Sequence, residues 1–181
     1  LRTAGPDLYD QLTAHDIPWT DDSVTTALEA MAQVLGDTGN IAGGTSGALQ
    51  TDFPKSVSQV FSDPPAAAMV FEGDFVQGEI LNSTDAEPET GFNQFAFPAI
   101  NDSPPSVVGG GDMIIAFDDD PATQAFVQYL ATPEASEIWA SRGGFSSPYT
   151  KVDTSVYPDS IAQATAEALA NAEVFRFDMS D

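Results

Sequence analysis

Two short stretches of this sequence combine residue types suited to holding a hydroxyl-rich guest. Phe71-Glu72-Gly73-Asp74-Phe75 and Val108-Gly109-Gly110-Gly111-Asp112 each run from an apolar segment through glycine to an acid. Glycine lets the backbone come close to a partner, and the carboxylate that follows can accept paired hydrogen bonds from neighbouring hydroxyls. Phe75 adds a flat apolar face on which the C–H side of a sugar ring can rest. Each stretch also has a plain structural reading. Phe75 fits ordinary core packing equally well, and Gly109 to Gly111 fit a strand bulge or a hinge.

Other candidates for chemistry are weaker. His15 is the single histidine and stands at a polar helix end, where a surface role outweighs that of general base. Gly43-Gly44-Thr45-Ser46-Gly47 is glycine-rich but lacks the Gly-Lys-Ser/Thr ending of a phosphate loop. No Gly-x-Ser-x-Gly elbow occurs, and with one histidine no metal-spaced histidine pair exists. Asp118-Asp119-Asp120 lacks the spaced oxygen ligands of a calcium loop and reads as a helix cap with a solvated face. Glu72 and Asp112 are the two carboxylates that a glycoside hydrolase would need, an enzymatic alternative that requires a defined separation between them.

The elements that position these residues follow from apolar spacing. A short helix is expected over 5–14, with Pro6 in its first turn. Asp21, Asp22 and Ser23 offer caps for an amphipathic helix through Val24, Leu28, Met31 and Leu35, ended by glycine. Residues 40–47 read as a loop, and Phe53 to Phe61 as a further helix. Ala66 to Phe71, Phe95 to Pro98 and Val107 to Phe117 read as short apolar strands, the last broken by its three glycines. A helix follows Asp74. Asp120-Pro121 starts another through Phe126, Val127 and Leu130, and Thr132-Pro133 starts a third that carries Ile138 and a core Trp139. An Ala-rich helix is expected over roughly 159–171. Val174 to Phe177 alternates like a strand. The mixture points to an α/β fold, helix-rich with a few short strands.

Composition bounds the rest. The 181 residues carry 28 Asp and Glu against five Lys and Arg, a formal charge of −23. Such a surface repels nucleic acid and anionic membranes. At 42% hydrophobic residues the chain has material for a core, so disorder is a poor reading. Without cysteine there is no disulfide, thiol nucleophile or cysteine-based zinc site, and the compartment stays open. No apolar run approaches the roughly 20 residues of a membrane helix. The chain opens on Leu1-Arg2-Thr3 and closes on the strand-like Val174 to Met179, so an internal piece of a longer protein is expected.

The order of segments resembles the extracellular solute-binding proteins of ABC importers, in particular the sugar-binding family 1 with its maltose- and α-glucoside-type receptors. Pro65-Ala66-Ala67-Ala68-Met69-Val70-Phe71-Glu72-Gly73-Asp74-Phe75 is similar to that family's G-x-A-A-M-x-x-x-G-x-W strand and turn. Phe97-Pro98 followed by Val108 to Asp112 is a second match. Ala125 to Ala135, continuing through Ile138-Trp139-Ala140 to Gly143-Gly144-Phe145-Ser146-Ser147-Pro148, is the third and most specific. The Trp19 region and the Asn40 to Gly44 loop also fit the α-glucoside branch.

The resemblance implies a fold of the type II periplasmic-binding-protein kind, two lobes closing over a sugar and performing no chemistry. It implies that residues 1–105 belong to the C-terminal lobe, that 106–151 supply part of the N-terminal lobe with a crossing between lobes, and that 152–181 return. It makes Phe75 a stacking platform and Asp74 a hydroxyl acceptor. Gly110, Gly111 and Asp112 become a second polar contact, Gly144 and Phe145 lie at the cleft rim, and Glu72, Trp19 and Arg142 are lesser candidates. For Arg142, holding a carboxylate or a helix C-terminus is the stronger reading. Phe75 departs from the tryptophan common at its position. No cofactor is implied. The implied partners are a carbohydrate, probed best with α-glucoside-like oligosaccharides, and the membrane subunits of an ABC permease. The implied setting is extracellular or periplasmic, as a monomer anchored through a lipoprotein signal.

Overall fold

A computed structural model describes residues 1–179. Its described residues are helix-rich, with eight α-helices and one two-stranded sheet. The helices are α1 (Gly5–Thr13), α2 (Asp22–Leu35), α3 (Gly44–Gln50), α4 (Phe53–Ser58), α5 (Val76–Ser83), α6 (Pro121–Leu130), α7 (Pro133–Ala140) and α8 (Ser160–Ala170). The strands are β1 (Ser106–Gly109) and β2 (Val174–Phe177). None of the described helices is long and apolar enough to cross a membrane.

Most helix starts are written in side-chain chemistry. Asp120 accepts from the amides of Ala122 and Thr123 at 2.7 and 3.2 Å, and Pro121 follows at the first helical position of α6. Thr132 caps α7 in the same way through Ala135 N, and Asp159 caps α8 through Ile161 N and Ala162 N. Such caps satisfy amides that have no partner inside the helix. One element departs from expectation. Residues 40–47 are not wholly loop, because Gly43 takes a left-handed φ of 72° and α3 begins immediately after it.

The expected strands are reduced. Ala66 to Phe71 and Phe95 to Pro98 form no strand, and β1 ends at Gly109 without continuing through Phe117. Met69 is 71% and Phe71 79% exposed, so the apolar run at 66–71 is not buried either. An apolar run becomes a strand only when a neighbouring ladder takes up its backbone groups. The pair that does form is parallel, with Ser106 opposite Val174 and Gly109 opposite Phe177.

The chain divides into two compact units. The first comprises Leu1–Val70, Phe95–Gly110 and Ala172–Asp181; the second comprises Phe71–Gln94 and Gly111–Asn171. Within the first, α1 is tied to β2. Arg176 clasps both carboxylate oxygens of Asp10 at 2.5 and 2.8 Å, and the Tyr9 hydroxyl donates to the Phe177 carbonyl at 2.8 Å. The hydrogen bond from Arg176 holds the Asp10 carboxyl below its ordinary range. Arg2 donates to the carbonyls of Pro104 and Phe97. Gly109 has to be small here, since a Cβ on it would meet the Phe175 ring at 2.6 Å.

Within the second unit, Ala140, Tyr157, Ala162 and Ala166 form the buried cluster, with Phe145, Val152 and Val156 packed on it. Gln77, itself buried, donates to Asp159 at 2.7 Å, so the carboxylate that caps α8 also holds α5.

Candidate functional site

The second unit brings together four of the expected site residues. The 71–75 turn leads into α5, with Phe75 as its N-terminal flanking residue. Asp74 accepts a hydrogen bond from the Ser146 hydroxyl, which joins that turn to the Gly143-Gly144-Phe145-Ser146 loop. The same loop reaches α5 a second time. Gly144 has φ 67°, and a Cβ there would stand 3.4 Å from Gly78 Cα. Two glycines thus allow the loop backbone and the first turn of α5 to touch.

The aromatic groups are posed differently. Phe75 is 52% exposed, and its ring folds back over Gly73, where an added Cβ would fall 2.6 Å from the ring. Phe145 is half-buried and stacks on Trp139, with centroids 4.4 Å apart and planes 12° from parallel. Behind it, the Tyr157 hydroxyl accepts from Ser147 N at 2.9 Å and fixes the loop to the core. The geometry offers one half-exposed aromatic ring and, on the preceding residue, one exposed carboxylate with a lone-pair side still able to accept hydroxyls.

Of the remaining expected residues, Trp139 joins this cluster through its stack on Phe145, whereas Glu72 does not join it through a described contact. Glu72 and Asp112 are exposed, with no hydrogen bond or ion pair among the described residues. Gly110 ends the middle segment of the first unit and Gly111 starts the later segment of the second, within an exposed stretch that runs to Asp120. Trp19 is exposed and belongs to the first unit. Trp139 is not a core residue, since it is 50% exposed; its neighbour Ala140 is the one α7 buries. Arg142 follows the end of α7 and lines a shallow groove with Tyr129, Leu130, Ala135, Ile138 and Trp139, and no carboxylate holds it among the described residues.

Two contributors carry no signal of their own in the sequence: Ser146 stands within Gly-Gly-Phe-Ser-Ser-Pro, and Gly78 belongs to no motif. His/Cys/Asp/Glu groupings able to hold a metal ion are absent among the described residues.

Comparison with known proteins shows what the chain is similar to. The whole chain aligns at 35% identity over 182 residues with the osmoprotective compounds-binding protein GgtB of Synechocystis sp.. The chain is a homologue of solute-binding proteins. A second relative, the alpha-glucosides-binding periplasmic protein AglE of Rhizobium meliloti, is 31% identical over 186 residues, again across the whole chain. This homologue of solute-binding proteins spans 42% and 40% of the length of those two relatives. Both are named as binding proteins, and the second is named for alpha-glucosides. No family profile matches the chain, and no solved structure matches it.

Proposed function

We propose that these residues form part of the substrate-binding component of an ABC importer, which captures a carbohydrate of the α-glucoside class and delivers it to a membrane permease. The observation that carries this reading is the end-to-end alignment with two binding proteins, one of them named for alpha-glucosides. In the proposed receptor the sugar sits in a cleft between two lobes of the whole protein, outside the cytoplasm. Phe75 stacks on a sugar ring and Asp74 accepts hydroxyls, with Gly144 and Phe145 at the rim. Gly110, Gly111 and Asp112 supply a second polar contact, and Glu72 a peripheral one.

The exposed Phe75 face beside the Asp74 carboxylate supports the assignment chemically. A neutral sugar needs stacking and hydrogen bonds rather than charge pairing. The surplus of acids then serves solubility. The receptor performs no reaction on its ligand, a reading supported by the names of both relatives as binding proteins.

A second reading, the same receptor architecture for a different solute such as a polyol, amino-sugar or peptide, is favoured by the name of the first relative, which refers to osmoprotective compounds rather than to sugars. Thermal shift of the whole protein against maltose, trehalose, free polyols, amino-sugars and short peptides separates the two. Stabilisation by glycosides alone supports the proposal, through mass action on the folded state. Stabilisation by non-glycosidic solutes alone replaces it with the second reading.

A further inference from the structure

The candidate site has two walls, the 71–75 turn that runs into α5 and the 143–148 loop. Both hang on one segment, Tyr157-Pro158-Asp159, that leads into α8. Tyr157 is buried, and its hydroxyl accepts from Ser147 N at 2.9 Å, holding the far end of the loop. Pro158 lies against the near end. Gly143 turns there with φ 76°, and a Cβ on it would stand 3.2 Å from Pro158 Cγ. Asp159 divides its carboxylate between two tasks. Oδ1 caps α8 through Ile161 N and Ala162 N, while Oδ2 accepts from the buried Gln77 of α5 at 2.7 Å.

The segment has little backbone freedom. Tyr157 is extended at φ −69° and ψ 143°, as the residue before a proline prefers, and the Pro158 ring fixes its own φ. Asp159 is held by the cap it makes. The walls also touch each other directly, through the Ser146 hydroxyl on Asp74, but that bond is exposed and competes with water. The buried contacts are the ones able to hold both walls at a fixed spacing.

We propose that Tyr157, Pro158 and Asp159 are positioning residues of the ligand site, a single anchor that sets the spacing between the Asp74-Phe75 turn and the Phe145 rim. None of the three touches the ligand. The proposal rests on the binding-site reading of those walls, whichever solute they take. A site whose walls are held in place before binding avoids the cost of ordering them on binding, so loosening the anchor lowers affinity without removing a ligand contact.

Titration calorimetry of the whole protein with maltose and trehalose, run well below each variant's own thermal midpoint, tests this. Amide exchange of the unliganded protein, read by mass spectrometry on residues 143–148, accompanies it. Tyr157→Phe removes the hydroxyl and leaves the ring in the core. It is expected to weaken affinity about three- to tenfold and to speed exchange at Ser147 about tenfold or more. Asp159→Ser keeps a cap for α8 but cannot reach Gln77, and is expected to weaken affinity to a similar degree. Asp159→Asn keeps the cap and can donate its amide to the Gln77 side-chain carbonyl, so affinity is expected to stay within about twofold of wild type. Wild-type affinity in either Tyr157→Phe or Asp159→Ser overturns the proposal, however far the midpoint falls, because a purely structural role lowers stability and leaves the folded protein's affinity alone. Asp159→Asn falling as far as Asp159→Ser also overturns it, since the charge would then matter rather than the bond. If the wild-type protein binds no glycoside, the sugar reading alone fails. Faster exchange in Tyr157→Phe then supports the anchor, and unchanged exchange overturns it.

Discussion

The Asp74 carboxylate and the Ser146 hydroxyl are hydrogen-bonded across 72 residues of sequence, joining the turn that carries Phe75 to the loop that carries Phe145. The pair is solvent-exposed, so its net worth to the fold is modest, about 0.5–1.5 kcal/mol. Ser146→Ala is therefore expected to shift the thermal midpoint of the whole protein by only a few degrees. Asp74→Ala removes a charged acceptor from the ligand side as well, and is expected to weaken sugar affinity by about 10- to 100-fold. Titration calorimetry on both variants checks this. Equal losses of affinity would make Asp74 a loop anchor rather than a ligand contact.

Gly73 is needed for the pose of Phe75, because a Cβ at 73 would run into its ring. Gly73→Ala is expected to lift the ring and reduce sugar affinity about as much as Phe75→Ala, on the order of tenfold. Phe75→Trp, which restores the residue common in the resembled family, is expected to retain or improve binding. A Gly73→Ala protein that binds normally would show that the ring is not the platform.

The Asp10–Arg176 clasp predicts a defined acid response. The folded-state pKa of Asp10 is depressed, so its contribution is complete above the unfolded value of about 3.9 and is lost as pH falls through the lower folded value. The caps Asp21, Asp120 and Asp153 are depressed for the same kind of reason, hydrogen bonds from Ser23, Thr123 and Ser155. Stability should thus be insensitive to these groups near neutrality and fall below about pH 4. Asp10→Asn should flatten the acid limb of a plot of thermal midpoint against pH. An unchanged limb would remove the clasp from the account.

The charge imbalance predicts a response to salt. With 28 acids facing five bases, self-repulsion opposes folding, and raising ionic strength from about 0.01 to 1 M shortens the screening length from about 30 to 3 Å. The thermal midpoint should rise steeply with sodium chloride. A flat or falling midpoint would mean that the acids lie too far apart to repel.

What the sequence discloses about this fold depends on how local each feature is. The starts of α6 and α7 are legible because Asp120-Pro121 and Thr132-Pro133 supply cap and first turn within a few residues. Strands are less so. Ala66 to Phe71 has the composition of a buried strand, but a strand is completed by a neighbour, and only β1 and β2 find one among the described residues. Trp139 misleads for a related reason: its stripe is that of a packing helix, while the residue that packs on Tyr157 is Ala140. The site is half legible. Asp74 and Phe75 stand out by type, whereas Ser146 and Gly78 matter only because the fold brings distant segments together.

Isothermal titration of the whole protein with α-glucosides such as maltose and trehalose tests the central assignment most directly. Saturable one-to-one binding is predicted, lost or weakened at least tenfold in Phe75→Ala and Asp74→Ala, with the glycoside recovered unchanged. Absence of heat across the glycoside series at millimolar concentrations, or release of reducing ends from the recovered sugar, would contradict it.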